Sequence, residues 1–175
     1  MMISLVEVMK TSSDDLPTIY CDMDQVLCDF INGATNAIGA PFVTADKNTR
    51  WQSIIDAGSK FWSGLNWMSG GKKLYQFIGR YDLKILSAYS DKMAAESKKG
   101  KMDWLKKNTK IKRSDTYLVL RDQKKKFAMT SDGKPNVLID DYQKNIDEWE
   151  AAGGIGITHF RTEVTIQQLK KIGFK

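Results

Sequence analysis

The chain has 175 residues, of which 42% are hydrophobic, and its formal net charge is +6. A chain of this length buries one substantial core, so we expect one domain with an insertion. No apolar run approaches the ~20 residues that span a bilayer, and the N-terminal stretch lacks the apolar core of a signal peptide, which favours a soluble, cytoplasmic protein. The excess of basic over acidic residues favours a phosphorylated or polyanionic partner, although a solvated lysine-rich surface explains this excess equally well.

Two acidic residues follow the first predicted strand, which covers residues 18–21. Asp22 and Asp24 stand one residue apart, and Val26 comes after them. Residues i and i+2 of an extended segment point the same way, so both carboxylates leave the strand end on one side. Two carboxylates that share a site repel each other, so an ionised Asp22 needs a compensating cation or a shared proton.

A helix and an aromatic segment come next. Apolar residues recur at helical spacing from Cys28 to about Gly39, and Pro41 follows that helix. Residues 41–71 have no clean strand pattern and contain three of the five tryptophans. The aromatic residues of this segment are Phe42, Trp51, Phe61, Trp62 and Trp67. We interpret the segment as an insertion into the core domain.

Strand and helix patterns alternate over the rest of the chain. Strands are predicted at residues 83–86, 117–120, 136–139 and 155–158, and helices at residues 72–80, 91–108, 124–129 and 142–149. The last helix is predicted to begin at Thr165, whose spacing to Gln168 is that of a capping box, and to end near Gly173. This alternation predicts an α/β fold with a doubly wound parallel sheet and right-handed crossovers.

Polar residues follow three of the predicted strands. Ligands of doubly wound sheets bind at the carboxyl ends of the strands, where Asp22, Asp24, Ser87 and Asp140 all fall. Asp141 adds a second acidic pair, and magnesium favours one or two carboxylates together with water and substrate phosphate. The sequence therefore predicts a divalent cation held by oxygen ligands at this edge of the sheet.

Histidine and cysteine chemistry is the weaker hypothesis. His159 is the only histidine, and Cys21 and Cys28 are too few for a structural zinc site. We interpret both cysteines as free thiols beside a buried strand and a helix.

The order of these residues is Asp-x-Asp, a strand-end serine, a lysine cluster and Asp-Asp, and it resembles the haloacid dehalogenase superfamily of phosphohydrolases over residues 18–171. The resemblance implies a Rossmann-like core in which Asp22 is the nucleophile that receives the phosphoryl group. It implies that Asp24 is the general acid/base. It also implies Mg²⁺ held by Asp22, by the backbone carbonyl of Asp24 and by Asp140, with Asp141 supporting the site from beside it.

The same resemblance implies a set of phosphate-binding groups. The Ser87 side chain and the backbone amide of Ala88 would bind phosphoryl oxygens. The family has a lysine before the Asp-Asp strand, where Lys124, Lys125 and Lys126 are adjacent in this chain. We favour Lys124 for this role, and Lys126 next.

A closer resemblance is to the 5'(3')-deoxyribonucleotidase family, including its phage and bacterial relatives. The matching segments are residues 22–30, 61–62, 100–104 and 138–141. In that family the insertion is a small helical cap over the active site, and its aromatic residues would stack a nucleobase. Phe30, Phe61 and Trp62 match best for this substrate-binding role, although cap aromatics could equally form the core of the cap. Lys101 resembles a lysine that helps to hold the substrate phosphate.

Gln25 departs from the family pattern. Relatives commonly have glycine where this chain has glutamine. If the loop needs a positive φ at this position, glutamine would be strained and the loop would differ locally.

These observations predict an arm at residues 1–16, a core domain at residues 17–40 and 71–175, and a helical cap at residues 41–70. The predicted function is that of a magnesium-dependent phosphatase of (deoxy)ribonucleoside monophosphates, which works through an aspartyl-phosphate intermediate. The expected partner is a small phosphorylated substrate, and no membrane partner is expected. The sequence leaves a homodimer open.

Other functions fit parts of the same pattern. The site could act on 3'-phosphate ends of nucleic acid or on another small phosphometabolite, but nucleic acid is not favoured, because the basic residues over 98–113 read as a solvated face. An inactive, nucleotide-binding or regulatory protein could retain the same residues. A signalling receiver domain is disfavoured. Its acidic pair follows the first strand and its phosphorylated aspartate comes later, whereas this chain has Asp-x-Asp first and Asp-Asp last and is longer.

Overall fold

The structure, a computed structural model, describes residues 15–175. Its five strands form one parallel sheet in the order β3-β2-β1-β4-β5. The strands are β1 Ile19–Cys21, β2 Leu83–Ala88, β3 Thr116–Val119, β4 Val137–Asp140 and β5 Ile155–Thr158. This arrangement confirms the predicted α/β class and all five predicted strands. The predicted arm, residues 1–16, lies almost entirely outside the described residues.

Seven α-helices lie between and after the strands in the described part of the chain. They are α1 Phe30–Ile38, α2 Gln52–Ala57, α3 Ser59–Ser63, α4 Gly71–Ile78, α5 Ala94–Asn108, α6 Gln143–Ala151 and α7 Thr162–Ile172. Short 3₁₀ helices occur at Asp91–Met93, Arg113–Asp115 and Arg121–Phe127. The last of these replaces the helix predicted at residues 124–129. Over residues 15–175, no helix is both long and apolar enough to cross a bilayer.

The last helix begins earlier than its sequence signal indicates. α7 starts at Thr162, directly after the extended residue Arg161, so Thr165 lies inside the helix and the predicted capping box is wrong. The Thr165 hydroxyl instead forms a hydrogen bond of 2.8 Å with Nδ1 of His159. Residues three apart are neighbours anywhere along a helix, so a Thr-x-x-Gln spacing alone does not locate the first turn.

Both faces of the sheet are covered by helices, which explains why the strands are apolar without clear alternation. Ile19 and Cys21 of β1 belong to the larger buried cluster, together with residues of α3, α4, α5 and α7. Tyr20 points to the opposite face and packs in a smaller cluster with Trp149 of α6. The central strand is therefore held from both sides, and it holds the residue that follows it, Asp22, in a fixed position.

The predicted insertion, residues 41–70, contains α2 and α3. α3 lies directly against α5, because Gly100 has no side chain to separate them. A Cβ atom at Gly100 would lie 2.4 Å from the backbone oxygen of Ser59 and 2.7 Å from Cβ of Trp62. The buried residues of the insertion, including Phe61 and Trp62, belong to the same cluster as the central strand. The insertion thus shares the core of the sheet, and its role as a cap stays a prediction.

Candidate active site

The carboxyl end of β1 brings the first aspartate level with the second acidic pair. Cys21 pairs in register with Ile85 of β2 and Ile139 of β4, so Asp22 stands beside Asp140. The backbone amide of Asp22 donates to the Ile139 oxygen at 2.9 Å. The sheet register, rather than the loop, therefore fixes the distance between these two acidic residues.

The loop after β1 is a tight turn that returns the chain toward the sheet. The backbone oxygen of Met23 accepts hydrogen bonds from the amides of Val26, Leu27 and Cys28, at 3.2, 2.8 and 2.8 Å. Among the described residues, Gln25 is the one non-glycine residue with positive φ, at 60°. Glycine adopts a positive φ without steric cost, and the resemblance has glycine at this position. The backbone of Gln25 is therefore strained.

Gln25 has a contact that glycine could not make. Its side-chain oxygen Oε1 accepts a hydrogen bond of 2.9 Å from the backbone amide of Ile31, in the first turn of α1. The first amides of a helix have no partner within the helix, so this bond supplies one of them. Asp29 caps the same helix by accepting from the amide of Asn32. Glutamine therefore stabilises the helix that follows the strained loop.

Three carboxyl groups meet at the carboxyl edge of the sheet. Oxygen atoms of Asp22, Asp140 and Asp141 all lie within 4.8 Å of one another. Asp22 is 6% exposed and Asp140 is fully buried, whereas Asp141 is exposed. Lys124 enters this cluster with its Nζ atom 2.6 Å from Oδ2 of Asp140 and 3.2 Å from Oδ1 of Asp22. A buried ammonium group thus bridges two of the three carboxyl groups.

Hydrogen bonds fix the orientation of the Asp140 carboxyl. Its Oδ1 accepts from the backbone amide of Tyr142 at 2.9 Å, and its Oδ2 accepts from the side-chain amide of Asn145 at 3.0 Å. Asn145 is in turn held by Arg121, which donates to its oxygen at 3.1 Å. This support around the carboxylate leaves it little freedom to rotate. Asn145 carries no motif signal in the sequence beyond standing next to the buried Ile146, so its role is visible only in the structure.

The electrostatics of the cluster follow from its crowding. Burial and the charge of Asp22 raise the pKa of Asp140 above its ordinary value. Desolvation, together with the charges of Asp22 and Asp140, raises the pKa of Asp141 to about 7. Burial by itself lowers the pKa of Lys124, but the charges of Asp22 and Asp140 outweigh it and raise that pKa well above its usual range. The lysine therefore stays charged while the carboxyl groups repel one another.

The donor set fits a hard divalent cation. Three carboxyl groups face one ammonium group, which leaves an excess of negative charge that a divalent cation would balance. All the donors are oxygens, the ligands that Mg²⁺ prefers. Burial raises the pKa of the Cys21 and Cys28 thiols well above its usual range, so both stay protonated and are poor ligands. Both cysteines are free and buried, which confirms their interpretation as thiols.

A second charged pair lies beside this cluster. The Nζ atom of Lys101, a residue that is 1% exposed, lies 2.6 Å from Oδ2 of Asp24 and 2.9 Å from Oγ of the buried Ser87. The other carboxylate oxygen of Asp24, Oδ1, is buried and has no hydrogen-bond partner among the described residues. This atom therefore has hydrogen-bonding capacity that no described residue uses.

A cavity of about 250 Å³ opens beside Asp24. Its lining residues are Asp24, Phe30, Trp51, Trp62, Ala88, Tyr89, Ser90 and Asp91. Half of this lining is aromatic, and the remainder is mostly polar. Asp24 is part of the cavity wall, so a molecule held by the aromatic residues lies next to this side chain.

The predicted aromatic residues have different positions. Phe30 and Trp62 line the cavity, whereas Phe61 packs edge-on against both of them, with ring centroids 5.5 Å and 5.2 Å apart. Trp51 and Tyr89 also line the cavity, although the sequence analysis did not assign them to the site. Tyr89 follows Ala88 directly, so its position just beyond the strand end was the signal that could have identified it.

The structure also separates the three adjacent lysines. Lys124 is 2% exposed and contacts the aspartates, while Lys125 and Lys126 are exposed on the same 3₁₀ helix. A 3₁₀ helix has three residues per turn, so only one of three consecutive side chains points toward the sheet. The side chain of Lys126 therefore leaves the helix in another direction from that of Lys124.

Comparisons with known proteins identify solved structures with a similar fold. No family model matches the sequence, and no curated protein matches it. A hydrolase from Streptococcus pneumoniae TIGR4 is similar in structure, with a TM-score of 0.54 and 12% identity, over 89% of this chain and 98% of that chain. At this identity the similarity supports a shared α/β fold alone. The activity has to be inferred from the residues of the site.

Two further solved structures have lower TM-scores. A hydrolase from Pseudomonas syringae has a TM-score of 0.46 and 11% identity, over 89% of this chain and 90% of that chain. A haloacid dehalogenase-like family hydrolase from Streptococcus pneumoniae has a TM-score of 0.49 and 13% identity, over 89% of this chain and 91% of that chain.

Proposed function

We propose that the chain is a magnesium-dependent phosphatase of the haloacid dehalogenase type, which dephosphorylates (deoxy)ribonucleoside monophosphates through an aspartyl phosphate on Asp22. One observation carries the proposal. The Asp22 carboxylate is held between an ammonium group, 3.2 Å away on Lys124, and two further carboxyl groups within 4.8 Å, on Asp140 and Asp141. An anionic nucleophile next to a charge-balanced cation site is what attack on an anionic phosphate requires.

Phosphoryl transfer to the enzyme is the first step. An oxygen of Asp22 forms a bond to phosphorus, and the bond between phosphorus and the leaving oxygen breaks. Asp24 donates a proton to that oxygen, so the product leaves as a neutral alcohol. The Oδ1 atom of Asp24, which is buried and unpartnered among the described residues, is the atom suited to this transfer.

Hydrolysis of the aspartyl phosphate is the second step. Asp24, now ionised, removes a proton from a water molecule as the water oxygen bonds to phosphorus. The bond between Asp22 and phosphorus then breaks, which releases inorganic phosphate and restores the Asp22 carboxylate and the protonated carboxyl group of Asp24. Asp24 thus gives up and recovers one proton in each turnover.

Asp22, Asp140 and Asp141 would hold Mg²⁺, with the backbone carbonyl of Asp24 as a further ligand. When bound, the cation offsets the repulsion between the carboxylate nucleophile and the phosphate. Lys124 contributes a fixed positive charge on the same side of Asp22. The hydrogen bonds to Asp140 keep its carboxylate oriented for this role, as the supporting residues of metal ligands do elsewhere.

Lys101, Ser87 and the amide of Ala88 are the proposed phosphate-binding groups. The Lys101 ammonium contacts both Asp24 and Ser87, so a phosphoryl group that enters between them would take over part of its hydrogen bonding. That exchange would free the second oxygen of Asp24 as substrate binds. Phosphate binding and release of the acid/base are thereby coupled through one lysine.

The aromatic cavity supports a nucleoside as the group that carries the phosphate. Phe30, Trp51, Trp62 and Tyr89 offer ring faces and edges around a volume of about 250 Å³ beside Asp24. Stacking of a base on an aromatic side chain contributes about 1–3 kcal/mol in proteins that bind single strands. Ser90 and Asp91 provide polar groups for the sugar or the base edge.

A phosphate-release assay tests the proposal. Nucleoside monophosphates and sugar phosphates are compared with and without Mg²⁺, and we expect turnover of nucleotides that depends on the metal. Asp22→Asn should lower turnover by at least about a thousandfold, because an amide is a poor nucleophile. The matched control is Asp147→Asn, an exposed aspartate on α6. Unchanged turnover in Asp22→Asn would refute the nucleophile assignment, and activity on sugar phosphates alone would refute the nucleoside specificity.

A further inference from the structure

A long groove runs between α5 and the edge strand β3. It consists of two adjoining cavities of about 600 Å³ and 420 Å³. Both cavities are lined by Met102, Asp103 and Arg113. The groove is separate from the aromatic cavity beside Asp24, and nothing in the proposed chemistry uses it.

The groove is strongly basic. Its charged lining residues are Lys98, Lys99, Lys106, Lys110, Arg113 and Asp103. The one carboxylate in this set, Asp103, forms an ion pair with Lys99, so its charge is already neutralised. The remaining basic side chains lie on the exposed surface without an opposing acidic residue in the groove lining. Such a surface favours an extended polyanion over a compact, singly charged ligand.

The groove and the aromatic cavity share no lining residue, but one contact connects them. The Nζ atom of Lys98 lies 3.9 Å from the ring centroid of Tyr89, which lines the cavity beside Asp24. α5 starts near this point and leads away from the acidic edge, and the path from Lys98 to Lys106 spans about 12 Å at the helical rise of ~1.5 Å per residue. This length corresponds to about three nucleotides of a stacked strand, which rises ~3.4 Å per nucleotide along its axis.

The chemistry of the lining distinguishes nucleic acid from other polyanions. Met102 and Leu118 lie among the cationic groups of the first cavity, and Leu105 and Ile111 among those of the second. A nucleic-acid strand presents backbone charges and flat bases side by side, whereas a run of acidic residues such as polyglutamate presents charges without flat rings. Base faces can contact the partly exposed Met102, Ile111 and Leu118, whereas Leu105 is buried. The phosphates can contact the lysines and Arg113.

We infer that this groove binds a single-stranded nucleic acid, so that the site takes the terminal phosphate of a strand as well as that of a mononucleotide. The inference rests on the proposed function for its catalytic part and on the groove alone for its binding part. It assigns a role to a set of basic residues that the sequence pattern describes only as a solvated face. The two parts are tested separately.

Binding is tested with labelled oligothymidylate and oligouridylate of about ten nucleotides that carry no terminal phosphate, so that turnover plays no part. Three phosphate contacts predict an affinity about twentyfold weaker at about 200 mM salt than at about 50 mM salt. The variant Lys106→Gln/Lys110→Gln/Arg113→Gln should bind about tenfold more weakly at the lower salt and with a flatter salt dependence. The control Lys144→Gln/Lys170→Gln/Lys171→Gln removes as many charges from exposed positions outside the groove.

Binding of either oligonucleotide that weakens only in the groove variant supports the inference. Equal losses in the groove variant and in the control would overturn it, because net charge would then explain the binding. Equal competition by a polyglutamate of matched length would overturn the preference for nucleic acid.

Turnover separates the two proposals. Phosphate release from 3'- and 5'-phosphorylated oligothymidylate is compared with release from dTMP, and the groove variant should lower the oligonucleotide-to-dTMP ratio of kcat/KM about tenfold. Release from dTMP with no oligonucleotide binding would refute the groove and leave the phosphatase standing. Groove-dependent binding with no release from any substrate would refute the phosphatase and leave the groove standing.

Discussion

Gln25 combines a cost and a benefit in one residue. Its φ of 60° is a conformation that costs a side-chain-bearing residue about 1–2 kcal/mol. Its side-chain oxygen accepts the amide hydrogen of Ile31 in the first turn of α1, a bond of the kind that contributes about 1 kcal/mol. The two effects are of similar size, which explains how glutamine can occupy a position that favours glycine.

Two substitutions at this position separate the effects. Gln25→Gly relieves the strain and loses the bond to Ile31, so its free energy of unfolding should stay within about 1 kcal/mol of the original protein. Gln25→Ala loses the same bond and keeps the strained φ, so it should be about 1 kcal/mol less stable than Gln25→Gly. Urea denaturation of both variants measures the difference. Equal stability of the two would mean that the loop relaxes to a negative φ.

The site residues differ in how far the sequence can predict them. Asp22, Ser87 and Asp140 are predictable, because parallel strands bring their carboxyl ends to one edge of the sheet. The choice of Lys124 among three lysines depends on the turn of a 3₁₀ helix, which no periodicity in the sequence reveals. Asn145 is harder still, since its role consists of a hydrogen bond to a residue on another element.

At the scale of elements, the contact between α3 and α5 connects the insertion to the candidate active site. Gly100 permits the close approach, and its neighbour Lys101 reaches Asp24 from the same helix. On the other side of the contact, Trp62 of α3 lines the aromatic cavity. Any displacement of α3 from α5 would therefore move the cavity wall relative to the charged pair.

Gly100→Ala tests this contact. The added methyl group meets backbone and Cβ atoms of Ser59 and Trp62 that cannot turn aside, and overpacking of this kind costs about 1–3 kcal/mol. Alanine gains about 1 kcal/mol in helix propensity, so the free energy of unfolding should fall by up to about 2 kcal/mol. Ala95→Gly, at an exposed position of α5, calibrates the propensity by thermal unfolding. A more stable Gly100→Ala protein would show that α3 is not tightly docked.

The boundaries of elements are less predictable than their existence. All five strands are predicted because each is a short apolar run that ends at a polar or turn residue. The predicted start of α7 at Thr165 is wrong, because Thr165 and Gln168 have the spacing of a capping box although both lie inside the helix, which begins at Thr162. The hydroxyl of Thr165 forms its hydrogen bond with His159 and not with the helix end. Side-chain partners that come from tertiary structure decide such cases.

For the whole molecule, charge is divided between an acidic centre and a basic surface. The formal net charge is +6, yet the carboxyl edge of the sheet gathers Asp22, Asp140 and Asp141 near one lysine. Under the proposed function, we expect the basic exterior to attract phosphorylated ligands and the acidic centre to admit them only with a cation present. The stability of the metal-free protein should therefore depend on the protonation of this centre.

The sign of that dependence follows from the raised pKa of Asp141, about 7 against an ordinary value near 4. The folded state binds this proton more tightly than the unfolded state does, so the stabilisation is complete at low pH and is lost as pH rises through about 7. The neighbouring Asp140, whose pKa is also raised, acts in the same direction. His159 acts in the opposite one, because burial lowers its pKa and acid then favours unfolding. Asp141 is exposed, so solvent screening reduces the size of its effect but not its sign.

Thermal unfolding of the protein and of Asp141→Asn is compared between about pH 5 and pH 8. Both proteins contain His159, so the difference between them reports the contribution of Asp141 to the pH dependence of stability. In the presence of a chelator, Asp141→Asn should be the more stable protein at the upper end of this range, and the difference should shrink toward the lower end. Mg²⁺ should raise the Tm of the original protein most at high pH, where all three carboxyl groups are ionised, and should raise that of Asp141→Asn less. A Tm that does not respond to Mg²⁺ at any pH would contradict a cation site at Asp22, Asp140 and Asp141.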